Sequence, residues 1–144
     1  MQQVQAASGA AAAANHWGIV VDNAAGNVIG GTTVAARNLI SGNLNDGINL
    51  SGSGATGNLV EGNYIGTNVS GTAAIANLVA GVEVQSSGNT IGGTTSAYRN
   101  LISGNTVGVA FYAGASNNTL LGNYIGTDVT GSSALGNTNY GVFI

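Results

Sequence analysis

Apolar residues along this chain come in short alternating runs, none with the spacing of a helix face. "GIVV" (18–21), "GINL" (47–50), "GVEV" (81–84), "GVAF" (108–111) and "GVFI" (141–144) share the pattern G-h-x-h, where h is apolar. The first four are each followed by N-x-h-x-G: "NVIGG", "NLVEG", "NTIGG" and "NTLLG". A third pattern, N-x-h-x-x-N, then closes each unit as "NLISGN", "NYIGTN", "NLISGN" and "NYIGTD". Alternation with period two places every second side chain on one face, the mark of a strand with one buried side. The Gly and Asn residues between the runs are turn formers that tolerate positive φ. Three strands per unit, repeated, predict a chain that coils around itself. Successive coils then stack their strands in parallel, about 4.8 Å apart.

The coils start at 18, 47, 81, 108 and 141, and the segment before 18 reads as an N-terminal stretch with a partial coil. "QQVQA" (2–6) takes the place of a third strand in this frame. A longer period of 62 residues is superimposed, because "RNLISGN" occurs at 37–43 and again at 99–105. Odd coils carry an insertion before the third strand ("TTVAAR", "TTSAYR"), and even coils carry a tail after it ("VSGTAAIANLVA", "VTGSSALGNTNY"). These insertions are expected as loops at two different corners. Parity assigns the interior to Ile19, Val21, Ile48, Leu50, Val82, Val84, Val109, Phe111, Val142 and Ile144 of the first strands. Ile29, Val60, Ile91 and Leu120 join from the second strands, and Ile40, Ile65, Ile102 and Ile125 from the third. Ser103, next to Ile102, is expected to point outward.

Asparagines fall into columns as well. One contains Asn27, Asn58, Asn89 and Asn118, and a second Asn38, Asn63, Asn100 and Asn123. Motif alignment gives a third as Asn43, Asn68, Asn105 and Asp128. An amide both donates and accepts, so stacked copies can bond to each other and to turn carbonyls. These twelve positions are expected to be structural ladders.

The pattern resembles the right-handed parallel β-helix repeat family, in particular the NxIxGN-type repeats of secreted bacterial surface proteins. The resemblance spans about 8–144. It implies an all-β solenoid with three short strands per coil, in an extracellular or cell-surface setting.

Composition narrows the function. Only 5% of the 144 residues are charged and the formal net charge is −3, where an ordinary globular chain carries about 25% charge. That balance excludes nucleic acid as a partner, since phosphates demand basic residues. There is no Cys, which removes disulfides and thiolate metal sites. No apolar stretch approaches the roughly 18 residues of a membrane span. The N-terminal stretch lacks the basic and apolar regions of a secretion signal.

Candidate chemistry is sparse. The outward first-strand column reads Val20, Asn49, Glu83, Ala110, Phe143, with one acid, while Asp22, Asp46, Glu61 and Asp128 belong to other columns. Paired carboxylates for glycoside hydrolysis and clustered oxygens for calcium are therefore not expected. Neither catalysis nor a metal or other cofactor is expected. His16 and Trp17 read as an edge-packing pair. Arg37 and Arg99, the only basic residues, close the same corner on coils one and three, about 10 Å apart. A guanidinium there can tie down loop carbonyls or meet a small anion or glycan. Outward third-strand positions give a stripe of Leu39, Tyr64, Leu101 and Tyr124, and aromatics with polar tips suit sugars or protein interfaces.

The leading expectation is a non-catalytic structural solenoid, an adhesin stalk or a filament subunit that stacks head to tail on itself. Trp17, Val142 and Ile144 would lie at the junction. A carbohydrate-binding module that uses the Tyr/Leu stripe and Arg37 and Arg99, with extracellular polysaccharide as partner, is the alternative. A fragment of a polysaccharide-active enzyme is a third reading.

Overall fold

The computed structural model of the chain describes residues 2–4, 14–112 and 114–144. Among these residues fourteen short strands form three all-parallel sheets that wrap one interior. The first sheet holds β2 (Ile19–Asp22), β5 (Ile48–Ser51), β8 (Ala80–Val84), β11 (Val107–Phe111) and β14 (Tyr140–Phe143). The second holds β3 (Val28–Gly30), β6 (Leu59–Glu61), β9 (Thr90–Gly92) and β12 (Thr119–Leu121). The third holds β1 (Gln2–Val4), β4 (Asn38–Ile40), β7 (Tyr64–Ile65), β10 (Leu101–Ile102) and β13 (Tyr124–Ile125). Neighbours in each sheet come from successive coils, so the chain is a parallel β-solenoid of about four turns. Gln2 pairs in register with Asn38, which places the N-terminal strand where the repeat frame puts it. Most of the "SGAAAAAN" segment (8–15) lies outside the described residues.

The interior is the one parity assigns. Ile48, Leu50, Val60, Ile65, Val82, Val84, Ile91, Ile102 and Val109 are fully buried, with Ala55 added from a corner. Each such aliphatic side chain contributes roughly 1.5–3 kcal/mol. Toward the ends the columns open: Ile19, Phe111, Leu120 and Ile125 are half-buried and pack against the core. Val142 and Ile144 continue the inward column and are exposed.

The two insertions emerge at different corners. The odd-coil insertion forms single 3-10 turns, Val34–Ala36 and Ser96–Tyr98, between the second and third sheets. The even-coil tail forms a small loop between the third and first sheets, pinned by the antiparallel bridges Thr67 to Ala74 and Thr127 to Ala134.

Three asparagine ladders run through the corners. Asn27 donates to Asn58 Oδ1 and Asn58 to Asn89 Oδ1, at 2.9 and 3.0 Å. Asn118 Oδ1 continues the column by accepting the backbone N–H of Asn89 at 2.8 Å. Asn38, Asn63, Asn100 and Asn123 are linked the same way, each amide donating to the next oxygen at 2.9–3.0 Å. The third column differs from the sequence expectation. It runs Asn43, Asn77, Asn105, Asn137, with steps of 2.7, 2.8 and 3.4 Å. Asn68 and Asp128 are not members. They sit where the even coils leave the stack, and each folds its oxygen into its own loop. Asn68 Oδ1 accepts from the backbone N–H groups of Thr72 and Ala73, and Asp128 Oδ1 from those of Thr130 and Ser133. Ser103 is a second correction: it is buried, donates to the carbonyl of Thr127 at 2.7 Å and accepts from Gly126 N–H at 3.1 Å. The chain turns at this corner, so strand parity ends one residue earlier than the letters suggest.

Candidate functional site

Two side-chain clusters lie on the outside of the coil. The first is on the first sheet. Register confirms the column Val20, Asn49, Glu83, Ala110, Phe143. It also brings in Asp46, which the sequence reading kept apart from Glu83. Asp46 precedes the coil glycine Gly47, a corner position that faces outward, and lies within one amide of the column. Asn49 Nδ2 donates to Asp46 Oδ2 and to Glu83 Oε1, 3.1 Å each. Asp46 Oδ1 accepts the backbone N–H of Ala80 at 3.1 Å, and Gln85 Nε2 donates to Glu83 Oε1. The residue before each coil glycine was the signal that could have found this pair.

Burial pushes the Asp46 carboxyl above its ordinary pKa, against the opposing pull of Asn49, the Ala80 N–H, Trp17 and His16. Burial also raises Glu83, and the nearby Asp46 charge adds to it. Tyr112 is raised by burial and by both carboxylates. Asp46, Asn49 and Glu83 are buried, and Asp46 has both oxygens engaged by protein donors. The cluster therefore holds coils two and three together by polar contacts. A shallow hollow of about 390 Å³ beside it is lined by Trp17, Val20, Asp22, Asn49, Ser51 and Gln85. Trp17 packs edge-on to His16, ring centres 4.2 Å apart. At the far end of the same face Phe143 stands 6.0 Å from Tyr112 and 5.7 Å from Tyr140.

The second cluster is on the third sheet. Leu39, Tyr64, Leu101 and Tyr124 are neighbours in register, but they do not form an open stripe. Leu39 and Leu101 are buried and Tyr64 and Tyr124 half-buried. The even-coil loops lie across them: a side chain on Gly71 would meet Leu101, Val129 and Tyr64, and one on Gly131 would meet Tyr124. The leucines thus present nothing to a ligand. One face of each tyrosine is also occupied. The Arg37 guanidinium lies 4.1 Å from the centre of the Tyr64 ring, and that of Arg99 lies 4.0 Å from the Tyr124 ring. Each arginine donates its Nε to the carbonyl of a glycine two residues before the tyrosine, Arg37 to Gly62 at 3.3 Å and Arg99 to Gly122 at 3.1 Å. Gly62 needs to be glycine here. Its φ is +70°, and a Cβ would stand 2.0 Å from the carbonyl oxygen of Gly31. Tying down carbonyls, one of the two roles expected of these arginines, is therefore what their Nε atoms do.

Among the described residues no group of three or more His, Cys, Asp or Glu could hold a metal ion, and no helix is long and apolar enough to cross a membrane. Comparison with protein-family models, with curated proteins and with solved structures gives no match.

Proposed function

We propose that this protein is a non-catalytic structural β-solenoid that extends by stacking head to tail, in an extracellular or cell-surface assembly. The observation that carries this reading is the pair of end faces. At one, Phe111, Ala115, Leu120, Val142 and Ile144 line an apolar hollow of about 250 Å³. At the other, Ile19, Val28, Ile29, Gly30, Ala35, Ala36 and Asn38 line a hollow of about 530 Å³ of mixed polar and apolar character. Both are cross-sections of the same coil, so the strands of one can continue those of the other. Open parallel edges template association. Contact between unlike faces is heterologous and propagates rather than closing. The resemblance to NxIxGN-type repeats of secreted surface proteins supports the setting.

Sedimentation over a range of concentrations tests the proposal. The intact chain is expected to form a concentration-dependent series of linear oligomers. Val142→Lys with Ile144→Lys, which puts two charges on the C-terminal face, is expected to leave monomers. A monomeric intact chain at high concentration would remove the stacking reading.

A further inference from the structure

Arg37 and Arg99 carry the whole formal positive charge of the side chains, and the structure uses only part of each. Nε is bonded to a glycine carbonyl and one guanidinium face rests on a tyrosine. The terminal Nη groups have no hydrogen-bond or ion-pair partner among the described residues. Guanidinium groups match carboxylate, sulfate and phosphate oxygens through two parallel N–H bonds, and here that edge is left free. Stacking on tyrosine and the Nε bond hold each head in one orientation, which lowers the cost of binding.

The two heads also converge. Two adjoining hollows, of about 150 and 80 Å³, are both lined by Arg37, Ser96 and Arg99. Ser96 is exposed at the start of the 3-10 turn that Arg99 closes, on the same coil as Arg99. Among the described residues neither guanidinium has an ion-pair partner, although Glu61, largely buried, directly precedes the Gly62 that holds Arg37. Asp128 turns its oxygen into its own loop and is held below the ordinary carboxylate range by Thr130 and by backbone N–H groups, without an arginine. The arginines recur every second coil, about 10 Å apart along the solenoid axis. That arrangement suits charges repeated along a linear chain laid parallel to the axis.

We propose that the trough between Arg37 and Arg99 binds an acidic polysaccharide, its carboxylate or sulfate groups seated on the free guanidinium edges with Ser96 as an additional hydrogen-bonding group. The site opens on the side of the solenoid, and Arg37 stands between Ala36 and Asn38, which border the N-terminal end face.

Titration calorimetry of the full chain with alginate, dextran sulfate, neutral dextran and sodium sulfate tests this. Binding to alginate or to dextran sulfate is expected to identify which oxyanion is preferred, to weaken with added salt, and to be absent with neutral dextran. Arg37→Gln with Arg99→Gln is expected to lower affinity at least tenfold. Ser96→Glu, on an exposed turn that keeps both arginines in place, is expected to do the same by placing a negative charge between them. Failure of both polyanions to bind overturns the proposal. So does undiminished polyanion binding by Ser96→Glu. Sodium sulfate binding as tightly as the polymers would overturn the polysaccharide assignment.

Discussion

Asn49 donates its side-chain amide to Glu83 across a coil boundary at 3.1 Å, and the same nitrogen also reaches Asp46. One amide thus holds two carboxyls in a buried place, and both have pKa values raised by burial. A raised carboxyl pKa in the folded state means that folding favours the protonated form. The stability these two groups contribute is fully present below their unfolded values, about 4, and is lost as pH rises through their folded values. Melting temperature is therefore expected to fall from about pH 4 toward neutrality. Asp46→Asn and Glu83→Gln should each flatten that fall. Asp128, whose pKa is lowered chiefly by its hydrogen bond to Thr130, acts with the opposite sign, so Asp128→Asn should leave the fall in place. A melting profile in which Asp46→Asn and Glu83→Gln track the parent at every pH would rule the pair out as its source.

The third ladder makes a separate expectation. Asn77 accepts from Asn43 at 2.7 Å and donates to Asn105 at 2.8 Å and to the carbonyl of Ile40 at 3.1 Å. Asn77→Leu orphans several buried groups at about 1–3 kcal/mol each. Asn68→Leu frees only loop N–H groups that water can reach, and should cost about 1 kcal/mol or less. Chemical denaturation of the two variants compares them directly. Equal losses would contradict the assignment of Asn77 rather than Asn68 to the column.

Asn68 also shows where reading the sequence stops. "NLISGN" and "NYIGTN" align letter for letter at both asparagines, yet Asn43 is a rung and Asn68 is not. What the alignment ignored is distance to the next coil. Asn43, Asn77 and Asn137 each precede a coil glycine by four residues and Asn105 precedes one by three, whereas Asn68 lies thirteen before Gly81. A ladder rung is defined by its place on the coil, and the even-coil tail intervenes. Core columns such as Ile40, Ile65 and Ile102 were legible because burial on one face imposes period two directly. The Asp46–Glu83 pair was not, because Asp46 sits at a corner that breaks the period and is linked to Glu83 only through the Asn49 side chain. The covering of Leu39 and Leu101 was equally hidden, since it depends on where a loop folds and not on strand parity.

Strand parity itself is tested by moving one charge. Ile102 has no exposed surface, while Val28 is 57% exposed on the outer side of β3. Ile102→Asp places a lone carboxylate in the core, where burial without partners costs several kcal/mol, and should abolish cooperative folding. Val28→Asp should change stability by about 0.5 kcal/mol or less. Thermal melts of comparable midpoint for the two would contradict the inward assignment of Ile102.

Gly71 tests whether the even-coil loop is packed on the third sheet or merely passes over it. Its φ is +68°, and a Cβ would stand 2.8 Å from both Leu101 Cδ2 and Val129 Cβ, and 3.2 Å from the Tyr64 ring. Gly57 has nearly the same φ, +66°, with nothing within 4 Å of a Cβ. Alanine at either position meets the left-handed backbone penalty of about 1–2 kcal/mol. Only Gly71→Ala adds the cost of overpacking, about 1–3 kcal/mol more. The difference between the two variants therefore isolates the packing of the loop against Leu101, Val129 and Tyr64. Gly71→Ala is expected to be the less stable by that margin. It should also expose the 68–76 loop to proteolysis, because the loop must rise to admit the methyl group. If both variants melt together and the loop stays resistant to protease, the loop is not packed tightly on Leu101, Val129 and Tyr64.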